Sequence, residues 1–248
     1  MTGFLPIVRV TLRQLLGGKR LIVLGLLGAI PAVVVWLATA NRLSSKMLET
    51  YNESAIPTLF LIVMPITSIV LGSASLGDER RDGTLSFLVV RPIPRSVITA
   101  AKLAAAALAA VAVSAVAGIL ASVAVSIRAS DWSTLVPTVV GLAISAGSYT
   151  AVFLVLGHLT SRAVLMGLVY LFLWETGISF AAPSLANISL FRIGLTAYTG
   201  MLPESQTVLA ETLGSLTPGA GGAAVKMLIL GALAIATAAA LLRTRDIT

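Results

Sequence analysis

The sequence of 248 residues contains no cysteine, so disulfides, thiolate nucleophiles and cysteine-ligated metals are excluded. Charge is scarce as well, at 11% of residues against about 25% in an ordinary soluble domain. There is one histidine, His158, with no cysteine or nearby acid to complete a catalytic or metal-binding constellation. It reads instead as an interfacial polar residue in a short turn with Thr160, Ser161 and Arg162, and an intramembrane hydrolase is disfavoured. A phosphate-cradling loop is missing too. Gly17-Gly18-Lys19-Arg20 lacks the upstream glycine and the Ser or Thr after lysine that such a loop needs. What is abundant is apolar: 57% hydrophobic residues and a mean hydropathy of +1.00. The bilayer is the expected solvent, and the chain reads as one all-helical membrane domain rather than an enzyme.

A hydrocarbon core of about 30 Å needs roughly 20 apolar residues of helix. Six stretches qualify: Leu21–Ala40, Ile56–Leu76, Leu103–Ile127, Leu135–Gly157, Ala163–Ala182 and Ala223–Leu242. The net charge of +7 matters through its placement, not as a signal for nucleic acid. Twelve basic residues flank one side (Arg9, Arg13, Lys19, Arg20, Arg80, Arg81, Arg91, Arg95, Lys102, Arg162, Arg243, Arg245). Five flank the other: Arg42, Lys46, Arg128, Arg192 and Lys226. The asymmetry predicts a multi-pass protein of the cell membrane with both termini cytoplasmic. Ala38-Thr39-Ala40 after an apolar run resembles a signal-peptide cleavage site, but that run of about 20 residues exceeds the usual 7–15.

Phe4, Val8, Leu12 and Leu15 form one helical stripe, with Arg9, Arg13 and Arg20 on a neighbouring one. Residues 1–20 therefore read as an interfacial helix, with Gly17-Gly18 as the bend into the first span. The alternative, an extension of that span, would place two arginines in hydrocarbon at considerable cost. Residues 183–222 read as an extracellular cap resting on the outer span ends, with short helices over Asn187–Tyr198 and Ser205–Leu216. Trp36, Trp132 and Trp174 fall near outer span ends as interface anchors. Small residues such as Gly118, Gly141, Ser145 and Gly231 invite close helix packing.

The charge that does exist is gathered in residues 77–102. Between Leu76 and Arg95 there are seven formal charges: Asp78, Glu79, Arg80, Arg81, Asp82, Arg91 and Arg95. Gly83 permits a bend. Leu85, Leu88 and Val89 share a helical face, Pro92 and Pro94 stop the helix, and Ser96 is the expected N-cap of the next span. Orientation rules account for the arginines but not for three acids and an apolar stripe. A surface that docks another protein accounts for both.

Glu79-Arg80-Arg81-Asp82-Gly83-Thr84-Leu85, followed by Leu88 and then Pro92-Ile93-Pro94-Arg95, resembles the permeases of ABC-2 type exporters. Lys102 resembles the lysine that starts their next span, and Tyr170-Leu-Phe-Leu-Trp-Glu175 resembles their fifth span; Pro94 departs from the usual serine. The resemblance implies a permease domain over 1–248 that pairs with a second copy or homologue. It implies separate ATPase subunits, which bind ATP and Mg²⁺, gripping the loop as a coupling helix. The coupling residues carried over are Asp78, Glu79, Arg80, Arg81, Asp82, Gly83, Thr84, Leu85, Leu88, Arg91 and Arg95. Glu175 is the one acid expected inside a span, toward its outer end. It is either an ion site, as a proton-coupled secondary transporter would require, or a structural tie to the outer cap.

Overall fold

The computed structural model describes residues 3–41, 43, 46–83, 93–178, 189–202 and 219–244. All regular structure among them is helical. Helix α1 is Phe4–Leu15 and α2 is Lys19–Ala38. Helix α3 runs over Met47–Arg81, α4 over Arg95–Ala129 and α5 over Leu135–Leu159. A shorter apolar helix, α6, covers Ala163–Gly177; α7 is Leu190–Thr199 and α8 is Gly219–Thr244. Five of these, α2, α3, α4, α5 and α8, are long and apolar enough to cross a membrane.

Helix α1 forms where the stripe predicts it. Val8 and Leu15 are buried, and Val8 packs with Phe4 and Leu12 against Ala101 and Ala105 at the start of α4. Arg9 and Arg13 are exposed. The bend into α2 is made by Gly18 at φ 70°, a conformation that costs glycine little.

Helices α3 and α4 are longer than their apolar runs. α3 starts at Met47, well before Ile56, and α4 starts at Arg95 and ends at Ala129. Their extra turns carry polar residues satisfied inside the bundle. Tyr51 hydrogen-bonds Ser122 of α4 and Thr138 of α5, each at 2.9 Å, and Asn52 accepts the hydroxyl of Tyr198 in α7. In mid-course α3 loosens into a π-helical stretch, Thr58–Val63, lying between Pro57 and Pro65, neither of which has an N–H to donate. The expected cap at Ser96 is not made: Pro94 in extended conformation precedes the helix, with no side-chain cap.

The tightest seam joins α3 to α5. A Cβ on Gly157 would lie 2.2 Å from the Ser73 carbonyl oxygen, and one on Gly72 would lie 3.1 Å from the Thr150 Cα. Glycine at these crossings lets backbone touch backbone, as small residues do between membrane helices. At the opposite end, α4 turns into α5 through Ser130 at φ 56°, and Asp131 accepts the amide of Ser133. There the Arg128 guanidinium lies 3.6 Å over the Trp36 ring and donates to the Trp36 carbonyl and the Thr39 hydroxyl.

Helix α7 differs from its expected place. It does not rest on the span ends but runs alongside α5, where a Cβ on Gly194 would lie 2.4 Å from that of Ser145. Nearly every residue of α7 is buried, and its hydroxyls find acceptors there: Thr196 donates to the Ile193 carbonyl, Thr199 to the Leu195 carbonyl and Tyr198 to Asn52. The expected helix Ser205–Leu216 lies outside the described residues.

Candidate functional site

The acids and arginines of the motif occupy the last turn of α3, which meets α1 and the N-terminal ends of α2 and α4. Successive residues on a helix point about 100° apart, so consecutive charges within one turn face different neighbours. Asp78 faces α2 and pairs with Arg20 at 2.7 Å. Glu79 faces α4 and pairs with Lys102. Arg80 faces the end of α5 and donates to the His158 carbonyl at 2.6 Å, one of the terminal carbonyls that a helix cannot satisfy itself. A cation there also meets the negative end of the α5 dipole. Arg81 turns outward and reaches back to Asp78 at 3.7 Å.

One turn of α3 thus braces three other helices. Lys102 is almost fully buried, so the lysine singled out by resemblance is the internal partner of Glu79. Instead of the short turn expected with Thr160, Ser161 and Arg162, His158 stands in the last turn of α5, which continues to Leu159, and is 1% exposed. Asp82 and Gly83 leave the helix, Gly83 at φ 68°, and both are exposed. Arg95 opens α4 half-buried. Thr84, Leu85, Leu88 and Arg91 lie outside the described residues. Beside the braced turn is a crevice of about 500 Å³ between α1, α2 and α3, whose lining includes Thr11, Lys19, Arg20, Asp78 and Asp82.

The second polar site is Glu175, fully buried. One carboxylate oxygen accepts the Tyr170 hydroxyl at 2.7 Å and the backbone amides of Leu190 at 2.9 Å and Phe191 at 3.3 Å. The other accepts the Ser189 hydroxyl, and that same Ser189 oxygen accepts the Arg192 amide. The carboxylate therefore joins Ser189 in capping the start of α7, where free amides and the helix dipole favour negative charge. Its partner Tyr170 packs edge-on against Phe153 in the second half of α5, ring centroids 6.0 Å apart.

The sequence names the charged turn but not its partners. Arg20 and Lys102 fall among the basic flanks, yet nothing local says which acid each meets. Matching every acid of the tract to the cations at the same membrane level would have proposed both pairs. Tyr51 carried no local signal at all, since its partners are 71 and 87 residues away. Among the described residues, no group of three or more His, Cys, Asp or Glu is placed to hold a metal.

Comparison with curated proteins gives no match. The family model for ABC-2 family transporter proteins matches residues 18–178. That span covers well over half of the chain and includes α2 to α6, the braced turn of α3 and Glu175. With its set of long apolar helices, the chain belongs to the ABC-2 family of transporters, as a multi-pass permease subunit.

Proposed function

We propose that the chain is half of the membrane body of an ATP-driven exporter. In this reading α6 serves as a sixth span and both termini are cytoplasmic, as the placement of the basic residues favours. A second copy or a homologue completes the body. Two ATPase subunits, which bind ATP and Mg²⁺, dock at the loop between α3 and α4, and the chain itself holds no cofactor. Closure of the ATPases moves that loop, and α3 and α4 carry the motion into the membrane.

The observation that carries the reading is the braced turn. The polar residues leading into the loop are anchored to α2, α4 and α5, so a force applied to the loop is delivered to four helices together. A tract serving only as an orientation signal has no need of two acids paired across helix ends. The rival, a proton-coupled carrier, needs Glu175 to exchange ions during transport. Its carboxylate is instead occupied in capping α7.

The test is co-purification and energisation. The tagged chain, expressed with its native membrane, is expected to bring down an ATPase subunit, and transport in vesicles is expected to need ATP and to survive collapse of the proton gradient. Replacing Leu85 and Leu88 with Asp should release the ATPase while the permease still inserts. Transport that continues without ATP and stops with the gradient would sink the proposal.

A further inference from the structure

We infer that the crevice between α1, α2 and α3 is a binding site for the headgroup of a zwitterionic phospholipid with a primary amine, phosphatidylethanolamine. The crevice is large enough for a headgroup, at about 500 Å³. Most of its charge is already spent internally: Asp78 on Arg20 and Arg81, and Glu79 on Lys102. Two lining charges form no ion pair among the described residues, the cation Lys19 and the anion Asp82, and both are exposed. The site thus offers one positive and one negative group to a ligand carrying one of each.

The positive group sits where a phosphate is best held. Lys19 is the first residue of α2, a helix of 20 residues whose N-cap, Gly18, supplies no side-chain oxygen. The first amides of α2 therefore have no side-chain acceptor, and phosphate oxygens suit such amides. The crevice wall also carries the Thr11 hydroxyl, on a residue 1% exposed and without a hydrogen-bond partner. A buried hydroxyl left unpaired is costly unless a ligand or water completes it.

The surroundings favour an amphiphile over a free ion. Ile22, Val23 and Leu26 lie three, four and seven residues after Lys19, on the same face of α2, and all are more than 60% exposed. A cation at the end of an apolar, lipid-facing stripe is the layout of a phospholipid lying along the helix. An ethanolamine ammonium can donate hydrogen bonds to Asp82. A choline group has no N–H to donate, so it loses that contact.

The test uses the full purified chain in mild detergent without any ATPase, so its failure leaves the proposed transport role untouched. Native mass spectrometry is run with dioleoyl phosphatidylethanolamine, phosphatidylcholine and phosphatidylglycerol at equal concentration. Retention of phosphatidylethanolamine is expected to exceed that of phosphatidylcholine by about tenfold, the worth of one charge-assisted hydrogen bond. Asp82→Asn should sharply reduce this preference and should not weaken phosphatidylglycerol retention, whereas Lys19→Gln should weaken all three. Phosphoethanolamine should compete and inorganic phosphate should not. Equal retention of the two zwitterionic lipids would overturn the inference, as would stronger retention of phosphatidylglycerol, competition by inorganic phosphate alone, or an Asp82→Asn variant that behaves as wild type. Both residues are exposed and form no ion pair among the described residues, so an unchanged melting temperature is expected to show that the variants fold.

Discussion

Lys102→Met tests whether the buried pair with Glu79 holds α4 to α3. The Lys102 side chain is 2% exposed and that of Glu79 is 12% exposed. This decides the scale, because an exposed pair contributes about 0–1 kcal/mol whereas removing one partner of a buried pair costs about 3–5 kcal/mol. The pair lies at a bundle end, where water can reach the carboxylate, so the lower end applies, about 3 kcal/mol. In a chain of this size each kcal/mol shifts the melting temperature by about 2–4 °C, which gives a drop of about 6–12 °C. The assay is a melting curve of the detergent-solubilised chain followed by size-exclusion chromatography, run on Lys102→Met, Glu79→Leu and the double variant. Each single variant removes one charge of the pair and keeps the other buried, whereas the double variant removes both. It should therefore be less damaging than the two losses added, by about 1.5 kcal/mol or more. Strictly additive losses, or single variants that melt with the wild type, would refute the claim that these two charges support each other.

Three further outcomes follow from the packing. Gly157→Ala places a methyl group 2.2 Å from the Ser73 carbonyl oxygen, so α3 and α5 must separate; a loss of about 1–3 kcal/mol is expected in the same melting assay, while Gly221→Ala, where nothing lies within 4 Å, should be silent. Glu175→Gln keeps one oxygen for Tyr170, Leu190 and Phe191 and can donate to Ser189, so stability and transport should stay near wild type, whereas Glu175→Leu strands these donors and should melt well below it; transport lost in Glu175→Gln with folding intact would instead mark an ion site. Tyr51→Phe removes the hydroxyl shared by Ser122 and Thr138 and should cost about 1–2 kcal/mol, with Ser122→Ala adding little once the tyrosine is gone.

Hydropathy made most of the helices legible because it reports the solvent around each segment, and the solvent is the bilayer. It could not place the ends of α3 and α4. Their extra turns are polar, and they stay helical because partners distant in sequence satisfy them, as Asn52 and Tyr198 satisfy each other. Helix α7 misled for the related reason that a mildly apolar segment between spans looks the same whether it covers the bundle or enters it. The choice is made by Gly194, which lets α7 approach Ser145, and by the carboxylate waiting at its start. Charge clustering announced the turn Asp78–Arg81 and its direction along the chain. Its partners were hidden because an ion pair between helices leaves no local trace, only two charges at the same depth.

The two polar sites hold their helices by different chemistry, and that difference bears on which parts of the chain are free to vary. The braced turn of α3 works largely through side chains: Asp78 pairs with Arg20 and Glu79 with Lys102, so a change in one member of a pair weakens the hold on its helix. All four lie within the matched segment 18–178. Glu175 also lies inside it, but its partners from α7 lie beyond, and two of the three are backbone amides. A backbone amide is supplied by any residue except proline, so the acid can anchor whatever helix follows it provided that helix begins at the right depth. Only Ser189 adds a side chain, and threonine can take its place because it keeps both the hydroxyl that donates to Glu175 and the oxygen that caps the helix start. The carboxylate is thus the fixed half of the contact and α7 the replaceable half. Replacing Leu190 or Phe191 with other apolar residues should leave the contact intact, whereas Pro at position 190 should break it, and the two classes separate cleanly in a melting assay.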